Sequence, residues 1–295
     1  MINKQIFNRI NSITEYNKKM DDYKAHIKMM IGKKGQPIPL NVIIVSGDKG
    51  VGKTYTANEI LQNQDVRKFQ IVDTSMSAVA LYKFLWEHND EIIVLDDVNS
   101  ILQDTKDGAS LLKACTDTQQ RRKLFWQKQN SSCVHVEKFN LATNGAIETK
   151  IMEMAAADMK MQRALDQGKL FPDTFYFTGA LIILTNKPLS VIDRVTEGAI
   201  SNRGWHSEML FTVNGSVELI KNSAAKIKTF LNIPIKKSNV QKAIKFLTSE
   251  QAIRYYKEEG KIPTIRTLGK IAMEYEVGNK IDMDTLINNT ECPAY

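Results

Sequence analysis

The chain has 295 residues, 43% hydrophobic and 25% charged, which excludes a disordered or fibrous protein and allows one large domain with a smaller satellite. No apolar run approaches the ~18 residues that cross a membrane, so no membrane partner is expected. A net charge of +7 leans towards an acidic partner such as nucleic acid, although enzymes without such a partner share this balance.

The opening Met1-Ile2-Asn3-Lys4-Gln5 is polar and unlike a secretory signal. Cys115, Cys133 and Cys292 lack C-x-x-C spacing, and Cys133 with His135 offers too few ligands for zinc. Reduced thiols in a cytoplasmic protein are therefore expected. Ile6, Ile10, Ile13, Tyr16, Met20, Tyr23, Ile27 and Met30 recur at spacings of three and four, which predicts one helix over 1–31. Lys4, Arg9, Lys18, Lys19, Lys24 and Lys28 occupy its other faces. Such a helix packs along its own core or pairs with a partner in a coiled coil. Gly32 to Pro39 breaks it, so residues 1–37 form a first unit of helix and linker.

From Leu40 short apolar strands alternate with helices. Strands are expected at Asn41–Ser46, Phe69–Asp73, Ile92–Asp96, Leu181–Thr185 and Glu208–Val213, with helices at Lys53–Gln62, Ser77–Glu87 and Gly108–Thr116. This pattern implies a parallel sheet covered on both faces, within a core domain over 38–215. Asp96 and Leu181 are too far apart for a single crossover, so an insert is expected at about 120–178. Within it, Arg122–Gln127 and Thr174–Thr178 are strand-like and would pair as a hairpin base. Between them Thr149–Leu165 is helix-forming and carries Met152, Met154, Met159 and Met161, either an adaptable contact face or core filling. Beyond Gly215 the pattern is helical throughout, at Val217–Leu231, Val240–Leu247, Ser249–Glu258 and Ile265–Tyr275. Residues 216–295 thus read as a helical domain with a tail marked by Pro293.

The chemistry centres on Gly47-Asp48-Lys49-Gly50-Val51-Gly52-Lys53-Thr54, which fits G-x-x-x-x-G-K-[ST] between a strand and a helix. Its glycines let successive N–H groups turn inward around a polyphosphate, and the following helix adds its positive end. Lys53 would reach the β- and γ-phosphates of ATP, and the Thr54 hydroxyl would ligate Mg²⁺. Ile92-Ile93-Val94-Leu95 then delivers Asp96 and Asp97 to the same side. Asp96 would hold Mg²⁺, and Asp97 would orient or deprotonate the attacking water. A third apolar strand ends at Thr185-Asn186, where Asn186 can hydrogen-bond both the γ-phosphate and that water.

This order of phosphate loop, apolar-Asp-Asp, strand ending in Thr-Asn, an Arg and a helical domain resembles the AAA+ ATPase family over roughly residues 38–280. Within it, the segments from Leu111 to Thr118, Arg122 with Trp126, and Phe175 to Asn186 are most similar to ATPases of phages and mobile elements, and more distantly to viral superfamily 3 helicases. The resemblance implies an α/β parallel-sheet ATPase core with an N-terminal helix and a C-terminal all-helical lid, assembled as a homo-oligomeric ring, most often a hexamer. It makes Asn186 the first sensor. Ala199-Ile200-Ser201-Asn202-Arg203 looks like the family's Ser-Arg box with one residue inserted, so Arg203 becomes the finger acting on a neighbour's ATP, with Arg194 the second choice. Pro263-Thr264-Ile265-Arg266 resembles the second-sensor helix start and places Arg266 on the γ-phosphate. The sequence departs at Asp97, where the family usually has Glu; the shorter side chain implies slower hydrolysis or kinship with viral helicases, where Asp occurs.

The insert matches the element that points into the ring pore of helicase-like members. Arg121, Arg122, Lys123, Lys128 and Lys138 with Phe125 and Trp126 would grip phosphates and stack bases, or else anchor the hairpin while the cations face solvent. The implied activity is ATP hydrolysis driving DNA translocation, unwinding or helicase loading in phage or mobile-element DNA replication. A remodeller of a protein partner and a slowly hydrolysing switch are the alternatives. A small-molecule kinase is disfavoured, since it needs neither a neighbour's finger nor a helical lid.

Overall fold

The computed structural model describes residues 9–73, 76–97, 106–126, 132–223, 228–230 and 233–289. In chain order the first half contains α1 (Ile13–Ile31), β1 (Val42–Gly47), α2 (Lys53–Gln62), β2 (Phe69–Val72), α3 (Ala78–Glu87), β3 (Ile92–Asp96), α4 (Lys106–Cys115), β4 (Arg122–Phe125) and α5 (Asn144–Ala156). There follow α6 (Met159–Asp166), β5 (Thr174–Phe177), β6 (Ala180–Thr185), α7 (Leu189–Thr196), β7 (Trp205–Met209), α8 (Val213–Ser223), α9 (Lys237–Leu247), α10 (Glu250–Glu258), α11 (Ile265–Glu276) and α12 (Met283–Asn289).

The apolar runs pair into a five-stranded parallel sheet ordered β2–β3–β6–β1–β7. Successive residues of a strand point to opposite faces, and the core divides accordingly. Ile44, Ile93, Leu95, Leu181 and Ile183 pack on one side against α3, α4 and the insert. Ile43, Val45, Val94, Ile182 and Leu184 pack on the other against α1 and α2. A third cluster, including Val240, Leu247, Leu268 and Ile271, forms the core of the C-terminal helices.

The expected α/β class is the one observed, and the strands bearing the phosphate loop and Asp96 lie where their apolar runs place them. Several boundaries differ for physical reasons. The N-terminal helix begins at Ile13, because the Ser12 hydroxyl caps it by accepting from Glu15 N, while Ile10 forms a parallel bridge to Phe211. Lys4 and Ile6 lie outside the described residues. Met20, Tyr23, Ile27 and Met30 are buried in the chain's own core, so that stripe is not a free coiled-coil seam.

The fifth strand is Trp205–Met209 rather than 208–213, since Phe211 N turns to donate to the Asp48 carboxylate at 2.7 Å. The methionine-rich helix is two helices, broken where Asp158 caps α6 by accepting from Lys160 N and Met161 N. Met154 and Met161 pack on the core, whereas Met152 and Met159 are 59% and 73% exposed. The C-terminal region is not wholly helical, because Thr229–Phe230 pairs with Ile233–Pro234 as a small antiparallel ladder. Cys292 and Pro293 lie outside the described residues, while Cys115 and Cys133 are free thiols.

The hairpin base forms as expected, with β4 antiparallel to β5. Its most informative residue is Arg122, which corrects the reading of that cation as a phosphate grip. Arg122 is 2% exposed, donates to Phe177 O at 3.3 Å and to Gly179 O, and lies over the Phe177 ring. Burial is the chief cause of its depressed pKa, about 10. Trp126 is likewise an anchor, its ring 5.4 Å from that of Tyr82, while Phe125 is 42% exposed. Arg121, Lys123 and Lys138 are on the surface, where Arg121 stacks on Tyr176 and Lys123 pairs with Glu137 at 3.1 Å. Lys128 lies outside the described residues.

Candidate functional site

The phosphate loop leaves the sheet at the C-terminal end of β1, the edge where a parallel sheet opens its crevice. Gly47 has φ +144°, and a Cβ there would meet Met209 O at 2.4 Å. Gly52, at φ +92°, is the left-handed residue that starts α2. Only glycine takes both positions without strain. Asp48 serves the loop by structure, since its buried carboxylate accepts from Phe211 N while its own N donates to Met209 O at 3.0 Å.

Lys53, 6% exposed, heads α2 and folds back over the loop. Its Nζ donates to Gly47 O at 2.8 Å, Asp48 O at 2.9 Å and Asn186 Oδ1 at 3.1 Å, which uses all three ammonium protons. Burial pushes its pKa down to about 8, against the upward pull of Asp48, Asp96 and Asp97, with Arg266 adding to the fall. Thr54 Oγ1 donates to Asp96 Oδ2 at 2.7 Å, so a hydroxyl and a carboxylate converge from α2 and β3. That oxygen pair is a hard-cation donor set beside the phosphate loop, and it fits Mg²⁺. Among the described residues no cluster of three or more His, Cys, Asp or Glu could hold a metal, so a cation here would depend on phosphate and water oxygens.

Asp97 has φ +55°, a left-handed conformation uncommon outside glycine, held by Asp97 N donating to Leu184 O at 3.0 Å. Asn186 Nδ2 donates to Asp97 Oδ1 at 3.2 Å. Asn186 therefore links the lysine to the second carboxylate across two strands. Arg266, in the first turn of α11, lines the same cleft of about 1290 Å³ with Lys49, Gly50, Val51, Lys53 and Thr54. The cleft thus brings together the loop, Asp96, Asp97, Asn186 and Arg266.

It does not gather Arg203 or Arg194. Arg203 precedes β7, and the adjacent Gly204 packs on Val42 at the start of β1, so Arg203 sits at the opposite edge of the sheet. The length of β1, ~3.3 Å per residue, separates that edge from the loop by roughly 16–20 Å. There Arg203 donates to Lys113 O and lies 3.7 Å from Asp117. Arg194 is exposed on α7.

The N-terminal helix makes a wall of the cleft that motif reading missed. Tyr16 OH donates to Val51 O at 2.8 Å, and Tyr23 OH donates to Lys53 O at 3.3 Å. Burial raises the Tyr16 phenol to about 12, so it is a neutral donor. Asn17, Met20 and Asp21 line the same wall. The signal was present in the stripe through Tyr16, Met20 and Tyr23, but periodicity names a buried face without naming what it covers.

Comparison with known proteins adds little. No family model matches the chain. An Enterobacteria phage T4 protein described as "uncharacterized 36.7 kDa protein in nrdC-mobD intergenic region" is 30% identical over 136 residues, 44% of this chain. The match spans only 40% of the length of that relative. Solved structures with a related chain course include one described as "Replication initiator DnaA bound to AMPPCP and single-stranded DNA", 14% identical, covering 85% of this chain and 58% of that one, TM-score 0.38. Another is described as a DNA replication initiation factor, 13% identical, covering 83% and 62%, TM-score 0.36. The ORC2 protein of Aeropyrum pernix in its ADP form is 9% identical, covering 93% and 67%, TM-score 0.40. At these scores the likenesses add nothing to the geometry above. The chain is an α/β fold, a five-stranded parallel sheet that carries the phosphate loop, followed by a largely helical C-terminal region.

Proposed function

We propose that the chain is an AAA+ ATPase that binds ATP with Mg²⁺ and works as a homo-oligomeric ring, hexameric by resemblance, on DNA in phage replication. The observation that carries the ATPase reading is the pair of contacts Thr54–Asp96 and Lys53–Asn186–Asp97 within one cleft. Lys53 exchanges a loop carbonyl for a phosphate oxygen, since its three protons are already engaged. Thr54 and Asp96 would hold the cation, which when bound would neutralise charge on the phosphoryl oxygens. Asp97 orients and deprotonates water, Asn186 holds Asp97 towards the γ-phosphate, and Arg266 reaches in from the lid. The three units are 1–37, 38–215 with its insert, and 216–295.

The place of Arg203 supports a role in trans, because an arginine side chain does not bridge the length of the sheet to its own loop. The DNA reading rests on the net charge of +7 and on exposed Arg121, Lys123 and Lys138 of the insert. The test is the ATPase rate with and without single-stranded DNA across a salt series, with Lys53→Ala as control. Stimulation that fades with salt supports this reading, and a salt-insensitive rate without stimulation refutes the DNA part. A second reading, a remodeller of a protein partner, is favoured only by the exposed Met152 and Met159, adaptable apolar contacts on the insert.

A further inference from the structure

Between Glu218 and Glu250 the chain carries Lys221, Lys226, Lys228, Lys236, Lys237, Lys242 and Lys245 and no acidic residue. In the fold three of these, Lys237, Lys242 and Lys245, lie on α9 of the lid. On α9 the exposed positions Lys237, Ser238, Gln241, Lys242 and Lys245 offer cations and hydrogen-bond donors, and none is apolar. Lys228 joins them at the ladder base, where Ile235 N donates to Lys228 O at 3.0 Å. The acids on the packed helix α11 neutralise little of this face. Glu276 pairs with Lys236 at 3.3 Å and accepts from Asn239, while Glu274 accepts from Asn279. Lys242 faces the Tyr275 ring, 5.8 Å from its centroid. Among the described residues Lys228, Lys237 and Lys245 form no ion pair within 4.0 Å.

We infer that this face is a second nucleic-acid contact, gripping the phosphate backbone through Lys237, Lys242 and Lys245, with Lys228 beside them. The inference rests on the nucleic-acid reading above and adds a place to it. Lys237 and Lys245 are eight residues apart, ~12 Å along a helix, which spans about three phosphates at ~3.4 Å per strand. An anionic membrane is the poorer fit, because the α9 face has no apolar anchor to bury in lipid. The contact is coupled to nucleotide through packing. Val240, Ala243 and Leu247 of α9 share a core with Leu268, Ile271 and Ala272 of α11, whose first turn holds Arg266 in the cleft. A lid that shifts with the nucleotide carries this face with it.

The experiment measures the affinity of the full chain for fluorescein-labelled oligo-dT by anisotropy across a salt series, with a non-hydrolysable ATP analogue present. The triple variant Lys237→Gln, Lys242→Gln, Lys245→Gln should lower the slope of log K against log salt by about 2, from ~0.7 per contact, and weaken binding about 100-fold at 0.1 M salt. Its melting curve and its basal ATPase rate without DNA should match wild type. A parallel insert variant, Arg121→Gln with Lys138→Gln, separates this inference from the broader reading. If only the insert variant loses slope, the DNA reading stands and the lid contact is refuted. If wild type binds no DNA at low salt, or binds phosphatidylserine vesicles instead, both are refuted.

Discussion

The ammonium of Lys53 offers a quantitative test of the site. Its pKa, ordinarily 10.5, stands at about 8 without nucleotide, chiefly through burial. Phosphate oxygens beside Nζ favour the charged form and return the pKa towards its ordinary value. Above pH 8 ATP binding must therefore take up a proton, and affinity falls as pH rises. With free and bound values of 8 and 10.5, the association constant at pH 9.5 is about 30-fold below that at pH 7, the slope nearing tenfold per unit. The protein without nucleotide moves the other way. Unfolded Lys53 keeps its proton up to the ordinary pKa, so over the window from about 8 to 10.5 the unfolded state binds more protons and folding stability rises with pH. Affinity for a fluorescent ATP analogue, measured in EDTA from pH 7 to 9.5, reads the first effect, and calorimetry in two buffers reads the proton uptake. A flat profile, or an equal decline in Lys53→Met, would refute the assignment of this titration to Lys53.

Asp97→Asn should bind ATP as wild type does but lose roughly 10²–10⁴ in turnover, the usual worth of a general base; wild-type phosphate release would mean another residue activates the water. Arg203→Ala should keep nucleotide affinity and lose on the order of 10³ or more in rate, and mixing it with Asp97→Asn subunits should restore part of the activity at junctions where both residues are intact. If rings mix and no activity returns, the same mixture with Arg194→Ala identifies the alternative finger. Arg122→Ala should leave basal ATPase per folded molecule unchanged but destabilise the fold by about 2–3 kcal/mol, because the buried Phe177 O and Gly179 O lose their donor. Thermal denaturation should show a fall of about 3–5 °C, and an unchanged melt would mean that this arginine is a surface cation after all.

The hairpin shows why a charge can be misread from sequence. In β4 the order Arg122-Lys123-Leu124-Phe125 alternates buried and exposed, so Arg122 takes the inward place of an apolar residue and Phe125 the outward one. Hydropathy assigns the opposite, because it ranks side chains one at a time and does not see the carbonyls of Phe177 and Gly179 waiting at the inward position. The same limit hid the N-terminal wall. A stripe through Tyr16 and Tyr23 announces a buried face, while the acceptors Val51 O and Lys53 O lie 35 and 30 residues away in the chain.

The phosphate-loop motif, the apolar strands that end at Asp96 and Asn186, the α/β class and the pairing of the insert's ends are all legible in the order of residues along the chain. Each depends on spacing within a short segment, where glycine conformation, strand alternation and helix period act directly on neighbours. Tertiary structure decided the rest. It set Arg203 a strand's length from its own loop, drew Asp48 into a bond with Phe211, turned Arg122 inward and laid α1 over the phosphate-loop cleft. Those outcomes depend on which distant backbone groups need a partner once the sheet has closed, and local spacing carries no record of them.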